Sequence, residues 1–403
     1  MSKLQDLIDR LCPNGVEFKP LGDLLDYEQP TKYIVCSTEY DNNYKTPVLT
    51  AGQSFILGYT DETEGVFPAS KEKPVIIFDD FTTSFHWVDF PFKVKSSAMK
   101  ILYPKTKSVN FKYIHYAMQC IGFVPGEHTR YWISKYSRFT IPLPPLEVQE
   151  EIVKILDRFA DYAAELQAEL QARKEQYEYY RNLLLTFNPS AYGSGTDDEQ
   201  KDGITRWGGR SYKIQWKTMG EIGNVKMCKR IMKNQTSSMG DVPFYKIGTF
   251  GKEPDAYISR ELFEDYKHKY SFPSKGTILI SAAGTIGRCV IYDGEDAYFQ
   301  DSNIVWLEND EKQVLNSYLY YFYQIVDWDT DGGTIKRLYN DKFLATPIPI
   351  PPMELQEKIV AILDRFETLV NDLSKGLPAE IAAVKAQYEY YRNKLLTFKD
   401  VAG

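Results

Sequence analysis

The feature that most restricts how this chain of 403 residues can fold is that it writes itself twice. The string QYEYYRNLLLTF at Gln176–Phe187 returns as QYEYYRNKLLTF at Gln387–Phe398. A second string, FTIPLPPLEVQEEIVKILDRF, ends at Phe159 and returns as ATPIPIPPMELQEKIVAILDRF, ending at Phe366. In this register Ile141 corresponds to Ile348, Gln149 to Gln356, and Asp157–Arg158–Phe159 to Asp364–Arg365–Phe366. A weaker echo opens each half, VEFKPLGDL from Val16 and IQWKTMGEI from Ile214. A period of about 200 residues is a duplicated domain rather than a short solenoid repeat. The unit is a variable block followed by a constant block, used twice.

The constant block reads as a long helix. Pro144–Pro145 and Pro351–Pro352 impose an extended entry, because proline restricts its predecessor and cannot sit inside a helix. Glu147, Glu150 and Glu151 then favour the positive end of the helix dipole. Apolar positions follow at Ile152, Leu156, Phe159, Ala163, Leu166, Leu170, Tyr177, Tyr180, Leu184 and Phe187. Their steps alternate four and three, a heptad seam broken only by Arg173. The second copy runs Ile359, Leu363, Phe366, Val370, Leu373, Leu377, Ile381, Val384, Tyr388, Tyr391, Leu395 and Phe398. Four extra residues around Leu373 and Leu377 form a stutter, and Gly376 with Pro378 predicts a kink or break there. The natural partner of each seam is the other helix, so the chain imitates a symmetric dimer. The tyrosines read either as aromatic packing at the end of the seam or, at Tyr179, Tyr180, Tyr390 and Tyr391, as an interface for a partner protein. Residues Asn188–Ser211 are rich in Gly, Ser and Asp and read as a linker.

The variable blocks, from about Pro20 to Thr140 and from about Lys217 to Thr346, hold short apolar runs between turn signals. Lys73–Asp80, Phe90–Lys95, Gly276–Ser281 and Cys289–Gly294 read as strands, and Phe111–Ile121 and Gln313–Val326 as helices. The fold class expected is α+β, with two similar globules of diverged surface.

Hydrophobic residues make up 43% of the chain, which places it among globular proteins. No run of apolar residues is long enough to span a membrane, and the start, MSKLQDLIDRLCPNG, reads against a signal peptide. Cys12, Cys36, Cys120, Cys228 and Cys289 are scattered without a CxxC pair, which points to a reducing compartment and away from structural zinc. The net charge of −7 offers no global attraction for nucleic acid, so any such case rests on local patches.

Those patches exist. From Lys93 to Arg138 the chain carries Lys93, Lys95, Lys100, Lys105, Lys107, Lys112, Arg130, Lys135 and Arg138 against a single acid, Glu127. Within it GEHTRYWISKYSR interleaves His128, Arg130 and Lys135 with Tyr131 and other aromatic residues. In the second block KMCKRIMK holds Lys226, Lys229, Arg230 and Lys233, and GGTIKRLYNDK, with Lys336, Arg337 and Lys342, takes the place of the first basic segment. Arg130 then corresponds to Arg337 and Lys135 to Lys342. Lysine and arginine neutralise phosphates, and arginine also pairs with guanine edges. Composition alone fits a solvated surface equally well; the recurrence of the motif at one place in both copies favours DNA.

The duplicated proline–glutamine–helix strings and the two QYEYYRN endings resemble the specificity subunits of type I restriction-modification systems, over essentially the whole chain. GTIG at Gly284–Gly287, with Thr285 and followed by Arg288, is also similar to a stretch common in that family's target domains, although the first block has DDFTTSFHW at the corresponding place. The resemblance implies target recognition domains at 1–144 (with an N-terminal segment) and 214–351, spacer helices at 145–187 and 352–400 arranged as an antiparallel coiled coil, and a linker at 188–213. It implies that each recognition domain reads half of a split, asymmetric double-stranded DNA site. It further implies that the helices set the gap and dock two methyltransferase subunits, and that restriction subunits join the complex. S-adenosylmethionine, ATP and magnesium are then expected on those partners, and this chain is expected to be non-catalytic, binding no cofactor or metal itself.

The residues agree with a non-catalytic part. There is no P-loop, no GxGxxG, and no Asn- or Asp-Pro-Pro-aromatic motif of the adenine methyltransferases. His86, His115, His128 and His268 show no metal-ligand spacing, and the adjacent Asp79 and Asp80 would point to opposite faces of a strand. Two other classes stay open on sequence alone: an enzyme with an unfamiliar site, and a coiled-coil scaffold or bivalent DNA-binding protein outside restriction-modification.

Overall fold

A computed structural model describes residues 3–50, 55–187, 204–331 and 336–401. The backbone divides into two units, Met1–Gln167 with Glu380–Gly403, and Ala168–Ala379. Each unit therefore contains one variable block, the part of a long helix nearest to it and the last part of the other repeat's helix.

The first unit begins with α1 (Lys3–Leu11), β1 (Glu17–Pro20), α2 (Leu21–Leu24) and β2 (Leu25–Glu28). It continues through β3 (Thr46–Leu49), β4 (Ile56–Thr60), β5 (Val75–Asp79), β6 (Phe85–Val88), β7 (Lys93–Val94) and β8 (Met99–Pro104). Helix α3 (Phe111–Met118), β9 (Thr140–Leu143) and helix α4 (Leu146–Thr186) follow. The sheet order is β2-β8-β5-β6, with a second sheet β4-β3-β7. The continuous apolar run Val75–Phe78 is explained by burial on both faces. Ile76 and Phe78 join the core under α3 and α4, while Val75 and Ile77 join Leu49, Phe92 and Val94 on the other side. The weak sequence echo is β1, which pairs with β9 so that Lys19 lies opposite Ile141.

In the second unit come β10 (Ile204–Trp207), β11 (Arg210–Lys213), β12 (Gln215–Thr218), α5 (Met219–Ile222), β13 (Asn224–Lys226), β14 (Val242–Tyr245) and β15 (Tyr257–Ile258). Next are α6 (Arg260–Lys269), β16 (Ile278–Ser281), β17 (Cys289–Ile291), β18 (Tyr298–Phe299), β19 (Ile304–Glu308) and α7 (Asn316–Tyr323). The chain closes with α8 (Asn340–Ala345), β20 (Pro347–Ile350), α9 (Met353–Asn371) and α10 (Leu377–Leu395), whose residues from Glu380 onward belong to the first unit. The orders β13-β19-β16-β17 and β15-β14-β18 repeat those of the first unit, and Lys217 lies opposite Ile348 as Lys19 does opposite Ile141.

The repeated strings hold the two blocks to their helices by the same bonds. Gln149 and Gln356 are 2% and 0% exposed. Gln149 accepts from the Asn110 amide at 3.0 Å and donates to the Pro144 carbonyl at 2.7 Å. Gln356 accepts from the Leu315 amide at 2.9 Å and donates to the Pro351 carbonyl at 2.8 Å. Tyr116 donates to Asp157 and Tyr321 to Asp364, each at 2.5 Å. The tyrosine-rich string closes the opposite repeat's block. Tyr180 stacks on Phe366 and Tyr391 on Phe159, with centroids 5.7 and 5.5 Å apart. Arg181 donates to Gln324 at 3.1 Å, and Arg392 to Gln119 at 3.0 Å.

The structure differs from the sequence reading in two elements. The region read as a linker through Ser211 contains an antiparallel hairpin, β10–β11, in which Gly208 and Gly209 both take positive φ, the backbone of a two-residue hairpin turn. Trp207 and Tyr212 pack against the core of the second unit; residues 188–203 lie outside those described. The second spacer, expected over 352–400, breaks into two helices as Gly376 with Pro378 predicts, but the break costs it a seam position. Its chain leaves α9 after Asn371, and Leu373, assigned to the seam, is 82% exposed. Gly376 lies against the carbonyl oxygens of Thr368 and Leu369; a Cβ there would stand 2.7 Å from the latter, so only glycine fits the return.

Candidate nucleic-acid interface

In the first unit the candidate surface starts at the turn between β5 and β6. The Asp79 carboxylate accepts from the amides of Phe81 at 2.7 Å and Thr82 at 3.2 Å, which shapes the turn. The Tyr131 amide donates to the Asp80 carbonyl at 2.8 Å and lays the basic segment over that turn. The His128 ring stacks on Phe81 with centroids 4.6 Å apart, and the Arg130 guanidinium lies 6.0 Å from the same ring. His128, Arg130 and Lys135 are all exposed, with the Lys135 ammonium 4.6 Å from the Phe123 ring.

The second unit builds the same corner with different side chains. The Leu338 amide donates to the Ala282 carbonyl at 2.9 Å, the counterpart of the Tyr131–Asp80 bond. Behind them, the amides of Asp80 and Ala282 donate to Ala98 and Asn303 at 3.0 and 2.7 Å. Arg130 and Arg337 thus each precede the anchored residue. Arg337 donates to the Asn303 side chain at 3.0 Å, and Arg230 pairs with Asp301 at 2.8 Å, so both arginines reach the turn between β18 and β19. In the GTIG loop the Ser281 hydroxyl donates to the Thr285 carbonyl at 2.5 Å and accepts from the Arg288 amide at 2.9 Å. Thr285 is exposed, while the Arg288 guanidinium turns to the Phe250 carbonyl at 2.9 Å.

Three of the residues singled out from sequence are not on that surface. Lys93 and Lys100 are 3% and 1% exposed. Lys93 pairs with Glu62 at 2.8 Å and Lys100 with Asp80 at 3.2 Å, so both ammonium groups are spent inside the fold. Tyr131 is buried; its hydroxyl donates to the Glu127 carbonyl at 2.8 Å and accepts from the Glu127 amide, closing the segment on itself. The remaining cations are dispersed. Lys95 is exposed beside Tyr40, Lys226 pairs with Glu308 at 3.4 Å, and Lys342 on α8 pairs with Asp329. Lys229, Lys233 and Lys336 are exposed, Lys229 lying 5.1 Å from the Tyr270 ring.

Two histidines are unsuited to meeting a phosphate. Burial lowers His86, stacked on Phe55, and pushes His115 down to about 4, so both are neutral near pH 7. Sequence reasoning passed over Phe81, Asn303 and Asp301. Phe81 was legible as the apolar residue in DDFTTSF; the other two become visible only once β18 and β19 are placed. Of the tyrosines, Tyr179 and Tyr390 are 62% and 60% exposed, whereas Tyr180 and Tyr391 are partly covered by their stacking partners. Among the described residues no group of three or more His, Cys, Asp or Glu is placed to hold a metal ion, and no helix is long and apolar enough to cross a membrane.

The family model described as the type I restriction modification DNA specificity domain matches this chain twice, at residues 13–176 and 213–383. The chain belongs to the type I restriction-modification specificity subunits. Among the curated members of the family, a putative type I restriction enzyme specificity subunit of Haemophilus influenzae is 44% identical over 396 residues, covering 95% of this chain and 96% of the relative. The EcoR124I/EcoR124II specificity subunit of Escherichia coli is 38% identical over 426 residues, covering 99% and 97%. Of solved structures, the type I restriction-modification S subunit from M. genitalium superposes with a TM-score of 0.53 at 15% identity, covering 95% of this chain and 96% of that one, which shows a shared fold. As a member of this family the chain is a DNA specificity subunit, and its two α+β blocks are the two specificity domains.

Proposed function

We propose that each variable block is a target recognition domain reading one half of a bipartite, asymmetric DNA site. The spacer helices set the unspecified gap between the halves. The exposed Tyr179 and Tyr390, with the rims of Tyr180 and Tyr391, offer matching surfaces to two methyltransferase subunits, and restriction subunits complete the assembly. The chain contributes sequence choice, not chemistry. S-adenosylmethionine, ATP and magnesium belong to the partners in this reading, and the complex works in the cytoplasm.

What supports the two-reader reading is the recurrence of one loop assembly on one sheet topology, with Arg130 and Arg337 at the same place in each copy. In this reading the exposed His128, Lys135, Lys229, Arg230, Lys233 and Lys336 position the backbone of the duplex. Thr285, Arg130 and Arg337 are the residues assigned to base edges, whereas the Arg288 guanidinium, held by the Phe250 carbonyl, braces the GTIG loop. The test is binding of duplex DNA by the complex with its methyltransferase partner, followed by fluorescence anisotropy across a salt series. Lys135→Ala or Lys229→Ala is expected to weaken binding to all sequences alike and to lower the slope of log K against log salt by about 1. Unchanged affinity and slope in both variants would contradict the assignment.

A further inference from the structure

We propose that Asp80, supported by Lys100, is a positioning residue for sequence choice at the half-site read by the first block, although neither side chain reaches DNA. The proposal rests on the reading that the Arg130 segment faces DNA.

Asp80 is 2% exposed and binds in four directions. One carboxylate oxygen accepts from the Trp132 amide at 2.8 Å, and the other pairs with Lys100 at 3.2 Å. Its carbonyl accepts from the Tyr131 amide at 2.8 Å, and its amide donates to Ala98 at 3.0 Å. Lys100 in turn lies 4.5 Å from the Tyr27 ring. A single residue thus ties the basic segment, the β5–β6 turn and β8 together. The second block has Ala282 at this position. It keeps the backbone bond and fixes the arginine side chain instead, through Asn303. The two copies therefore solve one problem differently: the first holds the backbone beside its arginine, the second holds the arginine itself. A bidentate base contact tolerates little displacement, so loosening residues 130–132 should cost selectivity while leaving the phosphate-neutralising charge in place.

Removing one member of a buried pair strands the other, so single substitutions report mostly on folding. The paired variants avoid this. Asp80→Ser with Lys100→Met leaves no unpaired charge, and the shorter side chain gives up the bond to the Trp132 amide. Asp80→Asn with Lys100→Met keeps an acceptor oxygen for it. Each is co-expressed with the methyltransferase partner, and modified adenines are mapped across a genome. With Asp80→Ser/Lys100→Met, preference for the first half-sequence over its single-base variants is expected to fall by about tenfold, with the second half unchanged. Asp80→Asn/Lys100→Met is expected to retain both halves. Full selectivity in the folded serine variant, or its loss in the asparagine variant, would overturn the proposal. Amide exchange in the unmodified complex is a second check free of folding defects: Trp132 is expected to be as protected as β5, and exchange at the rate of an open loop would overturn the anchor. Arg130→Ala separates the two levels. If it too leaves the first half-sequence intact, the reading that this segment faces DNA has failed; if it degrades that half while the serine variant does not, the Asp80 anchor alone has failed.

Discussion

Gln149 and Gln356 are the residues on which each block's attachment to its helix turns. Each fills a buried position where an amide and a carbonyl would otherwise face each other without partners. Gln149→Leu or Gln356→Leu is expected to cost about 1–3 kcal/mol, the penalty of stranding buried polar groups, read from denaturant unfolding of the corresponding unit. A change within about 0.5 kcal/mol, typical of surface sites, would contradict that role. His115 gives a pH signature. Its Nδ1 is enclosed without a hydrogen-bond partner among the rings of Phe85, Trp87 and Tyr116. Burial, with Lys112 adding to it, lowers its pKa from 6.5 to about 4. The unfolded chain therefore binds a proton below 6.5 that the folded chain refuses until about 4. The contribution is whole above pH 6.5 and is lost as pH falls toward 4, by about 2–3 kcal/mol. His115→Phe should flatten that part of the stability profile, and parallel profiles for the two proteins would contradict the assignment. At this scale the sequence was a poor guide to which lysines face outward. Lys93 and Lys100 sit among strand residues whose facing is set by the sheet, and only the partners Glu62 and Asp80, distant in sequence, reveal that they point inward.

Among the elements, the helices were the most legible, because a heptad seam depends on local spacing alone. Ile152, Leu156, Leu166, Tyr177 and Leu184 are all buried as the spacing required. The break after Asn371 was signalled by Gly376 and Pro378, but the turn it makes takes Leu373 out of the seam, which spacing could not show. The hairpin β10–β11 was hidden because its Gly-Gly turn looks like linker composition until flanking Trp207 and Tyr212 are seen to pack. The stretch AELQAELQ, Ala164–Gln171, buries only Leu166 fully and half-buries Leu170, so it carries a seam and little else. Deleting one AELQ removes about 6 Å of helix, between one and two base-pair steps of 3.4 Å. The expected result is a shorter gap with both half-sequences unchanged, read by mapping methylated adenines; altered half-sequences with an unchanged gap would show that the helix is not a ruler.

For the whole molecule, the duplication was written plainly in the sequence, and so was the α+β character of the blocks. What the sequence could not supply was the exchange: each tyrosine-rich string packs on the block of the other repeat, through Arg181 and Gln324 in one unit and Arg392 and Gln119 in the other. Tyr177 and Tyr388 serve this closure, which leaves Tyr179 and Tyr390 outward. The double substitution Tyr179→Ala, Tyr390→Ala is expected to weaken capture of the methyltransferase by tenfold or more, since an interfacial tyrosine is often worth about 2 kcal/mol, with an unchanged melting temperature. Undiminished capture by calorimetry would move the docking surface elsewhere. The central claim, one chain with two readers, is tested most directly by co-expressing the unmodified chain with its methyltransferase partner and reading the modified adenines across a genome. Two short half-sequences separated by a fixed unspecified gap are expected, each following its own block when the blocks are exchanged. Methylation at one continuous motif would contradict the account, because it would mean that a single block reads DNA.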